Sequence, residues 1–203
     1  MSVDSGSHAE AFERCLSVGG VAVFPADTVY GLACDVSNRV AVERLYALKR
    51  RPLEKPSAVM FLDLELALAA LPELGPRTRD ALASLLPGAV TLLLPNPAQR
   101  FALACGSGPG TLGLRVPVVP VLDGVRWPAL QSSANRGGGP EARRLEEVPS
   151  YIRAAADLVI DGGELPGTAS TVLDLRGFER SGRWSVVRQG AVDGAAVEAA
   201  LGH

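Results

Sequence analysis

Histidine and cysteine are scarce in this 203-residue chain, and neither is arranged as a catalytic or metal-binding site requires. The two histidines, His8 and His203, lie near opposite ends, and the three cysteines, Cys15, Cys34 and Cys105, form no CxxC pair. A histidine-based triad, a zinc cluster and a disulfide framework are therefore not expected. We predict no metal site, and the odd number of cysteines suits a reducing cytoplasm.

An excess of charge, a large aromatic content and a long apolar run are also missing. The formal net charge is −2, so nucleic-acid binding through a strongly basic molecule is not favoured, although a local basic patch stays open. No apolar run approaches the roughly 20 residues that cross a membrane, and the N-terminus has no signal-peptide pattern. We therefore predict a cytoplasmic protein without membrane association. The 47% hydrophobic and 21% charged residues are typical of a globular protein.

Helical and strand patterns alternate along the chain. The segment NRVAVERLYALKRR (38–51) has apolar residues at helical spacing and ends at a proline, which predicts a helix. Short apolar runs such as VAVFPA (21–26) predict buried strands. No linker, repeat or low-complexity tract divides the chain, so we predict a single α/β domain.

The sheet of this domain is expected to be mixed. No helical pattern separates TLGLRVP (111–117) from WPALQSS (127–133), which makes a purely parallel sheet doubtful. Three later strands could form an antiparallel set, namely DLVIDGG (157–163), STVLDL (170–175) and WSVVRQ (184–189).

Polar side chains recur where predicted strands end. Asp27, Thr28 and Tyr30 follow the strand VAVF, a frequent place for ligand contacts, although an aspartate there can also close a tight turn. The stretch SSANRGGGP (132–140) combines hydroxyls and an amide with a loose glycine backbone. Such strand ends predict a binding site for a small ligand.

Cations occur at three further places. Lys49, Arg51 and Lys55 follow a predicted helix, where they could complement its dipole or form a phosphate clamp. Arg115 lies within an apolar strand and needs an anionic partner, either a structural aspartate or a substrate carboxylate. Arg188 ends the last strand and could be a surface charge. The combination suits a site that binds phosphate and carboxylate groups by positioning and charge stabilisation.

The motifs together resemble one family. They follow one another as FPADTVYGLACD, LKRRPLEKPSAVM, GAVTLLL, GTLGLRVP, SSANRGGGP, DGG, ASTVLDL and VRQGA. This order is similar to that of the YrdC-like family, the threonylcarbamoyl-AMP synthases, over about residues 8–192. The resemblance implies one domain over residues 1–203, with a core at about 8–192 and a short C-terminal helix at 193–203. It also implies a twisted open mixed sheet flanked by helices, with a concave ligand-binding face, in the short form without the extra C-terminal domain.

The resemblance implies a nucleotidyltransferase. L-Threonine, bicarbonate and ATP, which carries Mg²⁺, would give threonylcarbamoyl-AMP and pyrophosphate. The product would serve threonylcarbamoyladenosine modification of tRNA through downstream transferase proteins.

Site residues are implied in the same way. Lys49 and Arg51 would be catalytic, facing the phosphates. Thr28, Arg115 and Ser170 would bind L-threonine. The nucleotide would be held by Arg51, Lys55, Thr111, Ser133, Asn135 and Arg188.

Two alternatives stay open. The protein could be a double-stranded RNA-binding module, since family members have been linked to such RNA. It could also be a nucleotide-binding paralogue that has lost or changed its amino-acid substrate. The second alternative is favoured by Met60 and Ala26, which stand where many members have a histidine and a threonine.

Overall fold

The computed structural model of the protein describes residues 5–202. Residues 1–4 and 203, the ends of the predicted domain, lie outside the described part. The helices are α1 (Ser5–Ser17), α2 (Arg39–Lys49), α3 (Leu64–Ala70), α4 (Pro76–Leu85), α5 (Ser150–Ala155), α6 (Phe178–Ser181) and α7 (Gly194–Leu201). The strands are β1 (Ala22–Pro25), β2 (Tyr30–Asp35), β3 (Ala58–Met60), β4 (Val90–Pro95), β5 (Thr111–Arg115), β6 (Ala129–Ser133), β7 (Leu158–Val159), β8 (Thr171–Asp174) and β9 (Ser185–Arg188).

Local signals set the limits of α2, the helix that leads to the predicted cations. The Asn38 side chain caps its start by accepting a hydrogen bond from the Ala41 amide at 3.1 Å. Arg50 ends it in the left-handed conformation, with φ of 47°. The chain then turns toward β3, so Lys49 and Arg51 leave the helix end in different directions.

One sheet runs through the molecule in the order β7-β1-β2-β6-β3-β5-β4-β8-β9. The sheet contains parallel pairs, such as β3 with β5, and antiparallel pairs, such as β2 with β6. The predicted mixed sheet is therefore confirmed. The suggested antiparallel set of three strands is wrong, because β7 pairs in parallel with β1 at one edge while β8 and β9 pair at the other.

Helices cover the two sheet faces unequally. A large apolar cluster on one face joins α2 and α4 to residues such as Val59, Leu114 and Leu130. A smaller cluster on the other face packs Phe12 and Leu16 of α1 against the sheet. Because α1 covers only part of this second face, the rest is left for a cavity.

Two details differ from the sequence patterns. The segment LEEVPSYIRAA (145–155) has the pattern of one helix, but it forms a 3₁₀ turn, Leu145–Glu147, and then α5, because Pro149 separates them. The short helix α6 was not predicted, since it spans only four residues. Within residues 5–202, no helix combines the length and apolar character needed to cross a bilayer.

Candidate active site

A cavity of about 470 Å³ lies on the sheet face that α1 leaves uncovered. Strand registers place Ala58, Gly113 and Gln131 side by side on this face. Most of the predicted site residues line the cavity, namely Thr28, Arg51, Thr111, Arg115, Ser133, Ser170 and Arg188. The side chains of Lys49, Lys55 and Asn135 do not belong to the lining.

Arg115 is held by a buried aspartate at the base of the cavity. Its Nη2 donates to Asp27 Oδ1 at 2.6 Å, and its Nη1 donates to Gln131 Oε1 at 3.2 Å. Only 5% of the Arg115 side chain and 9% of the Asp27 side chain are exposed. The sequence left two anionic partners open for Arg115, a structural aspartate and a substrate carboxylate. The structure contains the first of these, Asp27. Arg115 still lines the cavity, so a ligand carboxylate would be a second partner.

Burial leaves this pair incompletely satisfied. Asp27 Oδ2 and Arg115 Nε are both buried without a hydrogen-bond partner. Burial raises the pKa of Asp27 above its usual value in spite of the opposing effect of Arg115. Burial likewise lowers the pKa of Arg115. Both directions express the same desolvation cost, which hydrogen bonds from a bound ligand would reduce.

Hydrogen bonds from Lys49 hold the SSAN segment (132–135) in place on the side away from the cavity. The ammonium donates to Asn135 Oδ1 at 2.9 Å, to the Asn135 carbonyl at 3.0 Å and to the Ser133 carbonyl. An ammonium has three donors, and these oxygens occupy them. Burial, with a smaller contribution from nearby Arg51, lowers the pKa of Lys49 to about 8. In this structure the lysine is thus an internal support of the loop.

The amide of Asn135 completes this local network. Its Oδ1 also accepts from the Ser133 hydroxyl at 2.8 Å, while its Nδ2 donates to the Gly139 carbonyl at 2.7 Å. Asn135 thereby ties the strand end to the glycine turn, and Ser133 remains in the cavity wall.

The other predicted cations lie nearer to solvent. Arg51 donates from Nη2 to the Pro56 carbonyl at 2.7 Å, but its buried Nε has no partner. Lys55 is exposed, and its carbonyl accepts from the Tyr46 hydroxyl at 2.6 Å. Arg51 is therefore the cation of this segment that faces the cavity directly.

Residues of β8 and β9 close the opposite wall. Arg188 Nη2 donates to the Ser170 carbonyl at 2.7 Å. The hydroxyls of Ser170 and Thr91 share a hydrogen bond of 2.9 Å. These contacts hold Ser170, which is 4% exposed, against the strand that carries Thr91.

The polar lining residues that sequence reasoning missed include Thr91, Gln131, Glu141 and Arg176. Thr91 is a lone polar residue within an apolar strand, and Gln131 directly precedes the Ser132-Ser133 pair, two signals that could have been used. Glu141 and Arg176 follow turns, and no local pattern distinguishes them from surface charges. No group of three or more His, Cys, Asp or Glu side chains that could hold a metal ion occurs in the described part of the chain.

Fold and site together define an α/β domain with an open mixed sheet, whose cavity combines arginines and hydroxyls suited to anionic ligands. The chain belongs to the Sua5/YciO/YrdC family, whose model, described as "Telomere recombination", matches residues 14–190.

Curated relatives carry one functional name. The Threonylcarbamoyl-AMP synthase of Stenotrophomonas maltophilia is 35% identical over 156 residues, which cover 72% of this chain and 82% of the relative. The protein of the same name from Pseudomonas aeruginosa is 34% identical over 176 residues, covering 84% and 94%.

Solved structures share the fold. P. abyssi Sua5 complexed with L-threonine superposes with a TM-score of 0.84 at 24% identity and covers 100% of this chain. This chain spans only 59% of that protein. E. coli YciO superposes with a TM-score of 0.76 at 24% identity, covering 97% of this chain and 95% of YciO. At these identities the likeness establishes the architecture alone.

Proposed function

We propose that this protein is an L-threonylcarbamoyladenylate synthase that forms threonylcarbamoyl-AMP and pyrophosphate from L-threonine, bicarbonate and ATP. The observation that carries the proposal is the single cavity lined both by Arg115 with Thr28 and by Ser133 with Arg188. These pairs belong to the two ligands that the family resemblance implies. The names of the curated relatives support the same reaction.

The two ligands would occupy adjoining parts of the cavity. The amino acid lies toward Thr28, Arg115 and Ser170. The nucleotide lies toward Thr111, Ser133 and Arg188, with Asn135 and Lys49 acting behind Ser133. Arg51 lines the cavity, so its guanidinium offers a donor to phosphate oxygens.

The reaction needs alignment and charge neutralisation. The threonine ammonium first releases a proton to solvent, and the resulting amine combines with bicarbonate to give a carbamate, with loss of water. A carbamate oxygen then forms a bond to the α-phosphorus. The bond between the α-phosphorus and the oxygen that bridges it to the β-phosphate breaks. Pyrophosphate leaves with the Mg²⁺ that ATP brought. Arginines that are held in place by other contacts stabilise the developing negative charge without reorganisation.

Lys49 has a positioning role in this proposal. Its ammonium holds the Ser133 and Asn135 carbonyls, so it shapes the nucleotide end from beneath. Lys55 is exposed near the same end and contributes a positive charge rather than a direct contact. Downstream transferase proteins, RNA contact and a cytoplasmic location belong to the same proposal.

The test is pyrophosphate release from ATP that depends on both L-threonine and bicarbonate. Arg188→Ala removes a cavity-lining guanidinium and should lower kcat/KM for ATP about 10- to 100-fold, the effect of losing one or two hydrogen bonds from a charged donor. Arg183→Ala is the matched control, because Arg183 is an exposed arginine nearby that does not line this cavity. An unchanged kcat/KM for ATP in Arg188→Ala, or release that does not require threonine, would contradict the proposal.

A further inference from the structure

The cavity lining contains one negatively charged side chain, whereas the phosphate and carboxylate groups of the proposed ligands are also negative. Among the described residues that line it, Glu141 is the only acidic side chain, whereas Arg51, Arg115, Arg176 and Arg188 are basic. Its Oε2 atom is buried and has no hydrogen-bond partner. Phosphates and a substrate carboxylate would both be repelled by this group, so its presence there requires a different ligand feature.

The backbone that carries Glu141 is fixed on both sides. The Gly139 carbonyl accepts from Asn135 Nδ2 at 2.7 Å, and the Ala142 carbonyl accepts from the Tyr30 amide at 2.8 Å. These two contacts join the SSAN segment to the strand that follows Thr28. Glu141 therefore lies at the junction between the two proposed ligand positions.

Its electrostatic influence agrees with this position. The Glu141 carboxylate raises the pKa of Lys49, which lies beside the nucleotide end, and so acts against the effect of burial. It acts in the same way on the pKa of Arg115 at the amino-acid end. It does not form an ion pair with either of them, so its charge remains available to a ligand.

We propose that Glu141 binds the α-ammonium group of the amino-acid substrate and restricts this end of the cavity to zwitterionic amino acids. The inference rests on the proposed function. Threonine carries one cationic group, and the lining carries one acidic side chain, so their charges match. The carboxylate of the same amino acid then faces Arg115, and the two ends of the zwitterion meet groups of opposite sign.

Direct binding tests this assignment without the reaction. The affinity of the wild-type protein for L-threonine and for (R)-3-hydroxybutanoate, which lacks only the amino group, is measured by calorimetry with EDTA and no nucleotide. Wild type should bind threonine at least about 10-fold more tightly. Glu141→Gln should weaken threonine binding about 10- to 100-fold and should not weaken 3-hydroxybutanoate binding, because loss of the negative charge only relieves repulsion of its carboxylate. Glu146→Gln, an exposed glutamate on the following turn, should change neither affinity.

Each result separates the inference from the proposed function. A wild-type protein that binds threonine and the analogue equally well overturns the role of Glu141, and this comparison does not depend on how the variant folds. An effect of Glu141→Gln that appears only with Mg²⁺ and ATP also overturns it, since the carboxylate would then act on the metal. Failure of wild type to bind threonine or to release pyrophosphate with it overturns the proposed function instead.

Discussion

Removal of the Asp27 carboxylate should destabilise the folded protein strongly. Asp27→Ala deletes the 2.6 Å contact to Arg115 and leaves a guanidinium with 5% side-chain exposure beside Gln131 alone. Breaking a buried ion pair from one side costs about 3 to 5 kcal/mol, because the remaining charge is left uncompensated. For a domain of this size that corresponds to a fall in Tm of about 6 to 20 °C. Urea denaturation followed by circular dichroism gives the free energy of unfolding.

Two variants show whether the loss comes from the orphaned charge. Asp27→Ala combined with Arg115→Met should be more stable than Asp27→Ala alone, since replacement of both charges by apolar groups is often neutral. Glu73→Ala breaks the partly exposed pair with Arg100 and should cost no more than about 1 kcal/mol. If Asp27→Ala lies within about 1 kcal/mol of wild type, or the double variant is no more stable than the single one, the reasoning fails.

Two further predictions concern the supports of the cavity. Burial places the pKa of Lys49 at about 8 in the folded state against 10.5 for the free side chain, so between these values the unfolded chain binds more protons. The free energy of unfolding of wild type minus that of Lys49→Met should therefore rise over this pH range, and a flat or falling difference in pH-dependent urea titrations would contradict it. A Cβ on Gly190 would lie 2.2 Å from the Ala169 carbonyl oxygen, so Gly190→Ala should lower stability by about 1 to 3 kcal/mol. Gly194→Ala, with open space around its Cβ, should stay within about 0.5 kcal/mol of wild type, and thermal denaturation of both glycine variants measures the difference.

The sequence predicts the α/β class, the mixed sheet and elements such as the helix that leads to Lys49, because apolar periodicity and Pro or Gly breaks are local signals. Strand order is not local. The three strands suggested as one set lie at opposite edges of the sheet. At one edge β7 pairs with β1, and toward the other edge β8 pairs with β4. Spacing along the chain carries no information about which edge a strand reaches.

The candidate site shows the same limit. Thr28, Arg115 and Ser170 could be predicted to lie in one cavity from the family resemblance, and they do. The direction of the Lys49 side chain could not be predicted from the sequence. It depends on the Ser133 and Asn135 carbonyls, which tertiary packing brings to the end of α2. A lysine beside an arginine and a proline looks the same in sequence whether its ammonium points into a phosphate site or beneath it.

Ala26 and Met60, which depart from the pattern that the family resemblance implies, lie behind the cavity wall. Both are buried in the apolar cluster under α1, and neither lines the cavity. Met60 is the strand partner of Arg115, and paired residues point to the same face. The apolar cluster therefore borders the Asp27–Arg115 pair and lowers the local dielectric. An unpaired charge costs more in such surroundings, so Arg115 is held firmly to Asp27. The guanidinium is oriented by Asp27 and Gln131, and discrimination among amino acids has to come from residues that reach the cavity, such as Thr28 and Glu141.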